Sequence, residues 1–288
     1  MLLAEPAEIP TFPTTPDIRL IATDMDGTLL DDDKRLHEQF WPLLEELDRR
    51  GVLFCPASGR QYTTLLREFE IVAGGAADMV FIADNGSMVM RGGQEISSTC
   101  LPREEAHRLV LALRQTLSDG VDAGAVVSTK RSSFVERSDA AFLDQVGRYN
   151  VDLQIVPDLL EVIHDDVLKI AVYDFGSAEH STLPRLAGLA DALNLTVTAE
   201  HWLDVNAPTA TKGAAVSALQ DAYGITPAQT MVFGDFLNDL EMMDTADYSF
   251  AMSNAHPKLR ARARYTAPSN NDNGVIRTIA SVLDLPIG

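Results

Sequence analysis

The chain has 288 residues, of which 46% are hydrophobic and 23% charged, with a formal net charge of −19. That length is too great for one simple domain and supports a sizeable core, so two domains or one domain with a large insertion are expected. The acidic excess argues against nucleic acid as a partner, because such binding needs Lys and Arg against phosphate, and it obliges the protein to hold any anionic substrate with a local cation.

In chain order, residues 1–16 carry four prolines and no basic or apolar leader segment, and read as a disordered lead-in. Ile18 to Thr23 is an apolar run of strand length that ends in Asp24 and Asp26. Leu36, Phe40, Leu43, Leu44 and Leu47 recur at helical spacing up to a stop at Gly51, with Pro42 as a potential kink. "VLFCPA" (52–57) and "MVFIAD" (79–84) read as buried strands, so the first ninety residues alternate strand and helix. That alternation predicts a parallel sheet with crossover helices.

After about Met90 the character changes. A hairpin is predicted around Gly92-Gly93, then a helix over 103–118, short strands in "GAVVSTKRSSFVER", a further helix, a strand over 167–175 and a helix near 181–193. From about Leu203 the earlier rhythm resumes, with a helix over 211–224, a strand over 230–235, a helix from "NDLEMMDTA", a strand over 248–252 and a last helix over 273–283. The predicted fold is therefore α/β. A Rossmann-like parallel sheet core spans 17–90 and 204–288, and an inserted α+β cap domain spans 91–203. Cysteines occur only at positions 55 and 100, which is no disulfide framework, and a cytoplasmic location is expected. No apolar run approaches the roughly 18 residues of a membrane span.

In open parallel sheets, ligands bind beyond the carboxyl ends of the strands. Asp24 and Asp26, Ser58, Asn85 and Asp235 all come just after predicted strands. Carboxylates from two distant parts of the chain on one sheet edge repel one another unless a cation shares them, and a hard oxygen site of this kind suits Mg²⁺. One carboxylate of the Asp24/Asp26 pair can attack a phosphoryl group and the other can move a proton. Thr28 and Ser58 offer hydroxyl donors, Gly27 permits a tight turn, and Lys212 brings a positive charge to the start of a helix. Taken alone, an Asp-X-Asp pair is as readily an acidic turn, as "DDD" (31–33) is expected to be.

Four motifs in order, "DMDGT" (24–28), "ASGR" (57–60), "TKG" (211–213) and "GDFLND" (234–239), resemble those of the haloacid dehalogenase superfamily phosphatases. The insertion between Ser58 and Lys212, with "DNGS" (84–87), "AMSNA" (251–255) and "NNDNGV" (270–275), is similar to the Cof-type sugar-phosphatase branch. The resemblance implies that Asp24 is the nucleophile and a metal ligand. It implies that Asp26 is the general acid/base and lends its backbone carbonyl to Mg²⁺, and that Asp235 is the third ligand. Ser58, Gly59, Lys212 and Asn238 would hold the phosphate, with Asp239 orienting Lys212 or a metal-bound water. The expected function is Mg²⁺-dependent hydrolysis of small phosphate monoesters, sugar phosphates first, through an aspartyl phosphate. A phosphomutase and a catalytically idle phosphometabolite-binding protein are the alternatives. A small phosphorylated metabolite is the expected partner, with neither membrane nor nucleic acid, and no motif names the natural substrate or the oligomeric state.

Overall fold

A computed structural model describes residues 8–70 and 79–286, so residues 1–7 of the predicted lead-in lie outside the described residues. The described residues form two compact units, one of residues 8–58, 79–81 and 212–286 and the other of residues 59–70 and 82–211.

The first unit is built on strands β1 (Leu20–Asp24), β2 (Leu53–Ala57), β3 (Val80–Ala83, of which the first two residues belong here), β12 (Thr230–Gly234), β13 (Tyr248–Met252) and β14 (Tyr265–Ala267). Their order is β14-β13-β12-β1-β2-β3. β1 pairs in parallel with both β12 and β2, and β12–β13 and β13–β14 are also parallel. The chain builds outward from β1 in one direction and, after its return, from β12 in the other. The β1/β12 seam is thus a topological switch point, the place where such sheets bind ligands. β1 and β12 are buried along their whole length, which explains why they read as continuous apolar runs instead of alternating ones.

Helices α1 (Phe40–Arg49), α6 (Lys212–Tyr223), α7 (Leu240–Met243), α8 (Pro257–Arg262) and α9 (Gly274–Leu283) belong to this unit. α1 starts at Phe40 and not near Leu36, so Pro42 falls in the first turn. Its missing N–H is there one of the donors with no intrahelical partner, and the kink expected from the sequence has no cause. Phe12, in the described part of the lead-in, packs edge-on against Tyr248 and Tyr265 at ring-centroid distances of 5.3 and 5.4 Å.

The second unit contains α2 (Tyr62–Glu70) and a hairpin of β4 (Met88–Arg91) and β5 (Gln94–Ser98), whose turn residues Gly92 and Gly93 have φ of 55° and 75°. Positive φ at both turn residues is what a tight hairpin needs and what Gly supplies. Strands β6 (Ala123–Thr129), β7 (Ser133–Val135), β8 (Leu153–Ile155), β9 (Val167–Asp174), β10 (Asn194–Ala199) and β11 (Trp202–Asn206) form a six-stranded sheet in the order β10-β11-β9-β6-β7-β8. Helix α3 (Arg103–Ser118) buries Ala106, Leu109, Val110 and Leu113 in a core shared with Val127, Ile170, Val172, Leu203 and Val205. α4 (Ala140–Gly147) buries Phe142 and Val146 in a second cluster with Val126, Val135, Ala171 and Tyr173. The helix expected near 181–193 is reduced to α5 (Leu183–Leu186) between short turns. Pro184 suits only a first helical turn and Gly188 weakens any extension.

Candidate active site

The turn after β1 carries the first motif. Backbone N–H groups of Thr28 and Leu30 donate to Met25 O at 3.3 and 2.8 Å, and Leu29 N donates to Asp24 O at 3.3 Å. Gly27 sits at φ +79°, and a Cβ there would stand 2.5 Å from Asp235 Oδ2. Two independent constraints thus demand glycine: left-handed backbone and close approach of a carboxylate. Gly27→Ala is expected to lower kcat/KM at least tenfold, because the added methyl displaces Asp235 or the turn itself. A variant with unchanged kinetics would show that this contact has no bearing on the site.

Two later segments hold the turn in place. Asn254 Nδ2 donates to Gly27 O at 2.8 Å, Asn270 Nδ2 to Leu30 O at 3.1 Å, and Asn271 Nδ2 to Asp32 Oδ2 at 2.9 Å. These are the asparagines of "AMSNA" and "NNDNGV", which the sequence singled out without giving them a task. Asp31 Oδ1 accepts from Arg35 N at 2.8 Å, so the "DDD" stretch is the acidic turn expected.

Asp24 ends β1 and is 7% exposed. Asp235 comes directly after β12, the neighbouring strand. Lys212 opens α6 with its side chain fully buried, and its Nζ donates to Asp24 Oδ1 and, at 2.7 Å, to Asp239 Oδ1. Asp239 Oδ2 accepts from the N–H groups of Asp235 and Phe236 at 3.0 and 3.2 Å. Both oxygens of Asp239 therefore serve the protein's own donors. Asp24 gives Oδ1 to Lys212, and Asp235 Oδ1 accepts from Thr28 Oγ1 at 3.2 Å. Oxygen atoms of Asp24, Asp235 and Asp239 lie within 4.8 Å of one another, a donor set that fits a hard divalent cation.

The electrostatics agree with that fit. Burial pushes the Asp24 carboxyl up to about 7; Lys212 opposes this and Asp239 adds to it. Burial pushes Asp235 up to about 8, with Asp24 and Asp239 adding to it and Lys212 and the Thr28 hydroxyl opposing. Burial pulls the Lys212 ammonium down, but Asp239 and Asp24 outweigh it and hold the group protonated. One ammonium does not neutralise three carboxylates, and a divalent cation beside it would.

Asp26 is half-exposed, and its Oδ1 pairs with Lys34 Nζ at 2.8 Å. Lys34 has φ +62° and closes the acidic turn through its N–H to Asp31 O at 2.9 Å. Sequence reasoning missed this partner, since nothing in the spacing marks a lysine eight residues on. Ser58 is buried just past β2, whose Ala57 lies in register with Asp24 on β1. Asn238 is half-buried in the turn Leu237–Asp239. Gly59 belongs to the second unit, where its carbonyl oxygen accepts from Lys169 Nζ. Arg60, also there, pairs with Glu68 and stands 5.8 Å from the Tyr149 ring. Lys130 pairs with Glu95 at 2.9 Å and Arg137 with Asp122 at 2.6 Å. Cys55, Met242 and Met243 are core residues. Among the described residues no helix is long and apolar enough to cross a membrane.

A profile described as haloacid dehalogenase-like hydrolase matches residues 21–279. The chain is 30% identical over 274 residues to the 5-amino-6-(5-phospho-D-ribitylamino)uracil phosphatase YbjI of Escherichia coli, covering 92% of this chain and 96% of that protein. It is 31% identical over 249 residues to the HMP-PP phosphatase of Cronobacter sakazakii, covering 84% and 87%. The crystal structure of SMU.1108c from Streptococcus mutans superposes with a TM-score of 0.83 at 24% identity, covering 93% of this chain and 99% of that one.

Proposed function

The chain belongs to the haloacid dehalogenase-like hydrolases and is a phosphatase of their Cof-type branch; from that premise we propose that it hydrolyses small phosphate monoesters, sugar phosphates first, with Mg²⁺ and through a phosphoenzyme on Asp24. The observation that carries this reading is the buried Asp24–Lys212–Asp239 chain beside Asp235 at the β1/β12 switch point.

A carboxylate oxygen of Asp24 attacks phosphorus, and the bond from phosphorus to the ester oxygen breaks. The leaving oxygen takes its proton from Asp26. Water then gives a proton back to Asp26 and attacks the same phosphorus, releasing inorganic phosphate and restoring Asp24. Ser58, Gly59, Lys212 and Asn238 hold the phosphoryl oxygens, and Asp239 keeps Lys212 charged and aimed. Mg²⁺, held by Asp24, Asp235 and the carbonyl of Asp26, would neutralise charge on the transferring group. The inserted segment, over 91–203, is assigned the reading of the leaving group, since the residues above engage only the phosphoryl end.

The sugar-phosphate preference is supported by the relative whose substrate carries its phosphate on a ribityl chain. Phosphate release from sugar phosphates, polyol phosphates, nucleotides and pyridoxal phosphate is expected with Mg²⁺ and lost with EDTA, strongest for one carbohydrate class. Release that survives EDTA removes the metal from the mechanism. Transfer to a second sugar hydroxyl in place of water identifies a mutase.

A further inference from the structure

In the second unit, β9 is buried throughout and apolar except for Lys169 and the terminal Asp174. Lys169 is only 6% exposed. A charged group in such a place persists only with several partners. Its ammonium has three N–H donors. One goes to the carbonyl oxygen of Gly59, another to Asp204 Oδ2 on β11 at 3.2 Å, and Asp84 Oδ1 stands 3.9 Å away.

Gly59 packs directly on the same cluster: a Cβ there would lie 3.1 Å from Asn85 Oδ1 and 3.3 Å from Asp204 Oδ2. Asn85 Nδ2 donates to Asp204 Oδ2. The turn that carries Asn85 is held in an unusual backbone, with φ of 49° at Asp84, 57° at Asn85 and 97° at Gly86. Asn206 Nδ2, on β11, pins that turn through Asp84 O at 3.0 Å and Ser87 Oγ at 2.7 Å. Asp84 is 1% exposed, and its Oδ1 has no hydrogen-bond partner. Burial pushes that carboxyl up to about 7, with Lys169 opposing and Asp204 adding to it. A fold that needed only a stable core would fill these positions with apolar side chains, since such replacement of buried ion pairs is often neutral or stabilising. Here a strained turn and a costly buried charge converge instead on one backbone carbonyl, that of the residue after Ser58.

We propose that Lys169, supported by Asp204, is a positioning residue of the phosphatase reaction: it fixes the Gly59 peptide, and so the phosphate-holding loop, from 110 residues away in the chain. The residue acts through Gly59 and touches no reacting atom. Loops that hold phosphate must be set to within about 0.5 Å, and a buried ammonium with two charged partners supplies that constraint.

This inference rests on the proposed phosphatase activity. The test uses the full chain with Mg²⁺ and inorganic phosphate as the probe, read by calorimetric binding and by inhibition of turnover. Lys169→Met leaves Asp84 and Asp204 buried without their cation, so it is made together with Asp204→Asn, which preserves the acceptor for Asn85. The double variant is expected to fold with a melting temperature within about 5 °C of the parent, yet to bind phosphate about tenfold more weakly and to show a raised KM. A double variant that is unfolded, or folded with unchanged phosphate affinity, makes Lys169 purely structural and overturns the proposal. If the parent protein itself releases phosphate from no monoester, the proposed activity fails instead, and phosphate binding still separates the two conclusions.

Discussion

Asp24→Asn is expected to abolish turnover, with kcat falling on the order of 10⁴-fold or more, in a protein that keeps its fold. The amide is nearly isosteric but is no nucleophile, so the proposed phosphoenzyme cannot form. Stability should not suffer. Three carboxylates crowd around one ammonium here, and removing one relieves repulsion that the fold otherwise opposes. The pH dependence has the same geometric origin. Asp24 and Asp235 are raised to about 7 and about 8 in the folded chain, and burial is the main cause. Their folded forms keep protons that the unfolded chain has already lost, so their contribution is fully present at low pH and disappears as pH rises toward 8. Metal-free parent protein should therefore lose melting temperature between pH 5 and pH 8, and Asp24→Asn should lose less. Substantial phosphate release by the variant would remove Asp24 as nucleophile. A variant that melts well below the parent at pH 8 would contradict the repulsion argument.

Lys212→Met is expected to damage both fold and activity. The Lys212 side chain has no solvent exposure, and its ammonium joins Asp24 to Asp239, which is likewise inaccessible to solvent. Methionine fills similar volume but leaves two buried carboxylates without their cation, and breaking such a pair costs about 3–5 kcal/mol. For a chain of this size that corresponds to a melting temperature lower by roughly 10 °C or more. Asp239 keeps the N–H groups of Asp235 and Phe236 as donors to Oδ2, so the damage should centre on Asp24 and Oδ1 of Asp239. Adding Asp239→Asn should recover part of the stability and none of the activity, because in the proposed mechanism the missing ammonium is what holds the phosphoryl oxygens. Thermal melts and phosphate release on both variants check this. A single variant as stable as the parent, with kcat/KM within tenfold, would show that Lys212 is dispensable.

Much of the site is visible in linear order because its residues sit just past strand ends. The apolar runs "LIATD" and "TMVFG" are legible as buried strands, and parallel strands of one sheet deliver their C-terminal residues to one edge. Asp24 and Asp235 are placed on one sheet edge by that rule alone, with Gly27 and Lys212 marked by the motifs around them, and the pairing of β1 with β12 makes the two aspartates neighbours. The asparagines of "AMSNA" and "NNDNGV" are conspicuous as letters, but their task of holding the turn at Gly27 and Leu30 needs coordinates. Hydrogen bonds across more than two hundred residues leave no periodic trace.

Local patterning determined β1, β2, β3, β6, β7, β9, β12 and β13, the helix α3, the Gly92-Gly93 hairpin and the acidic groups at strand ends, because these depend on burial period and backbone conformation within a few residues; the short or partly exposed β8, β10, β11 and β14 gave no such signal. Tertiary structure alone decided which oxygen of each aspartate is taken, that Lys34 faces Asp26, and that Leu203–Asn206 pair with β9 and β10. It also decided that Lys169, an ordinary lysine by its sequence neighbours, is buried against Gly59 and Asp204. The physical reason is the same in each case: desolvation and pairing depend on which chain segments meet in space, and a side chain's identity carries no record of the partner that makes its burial tolerable.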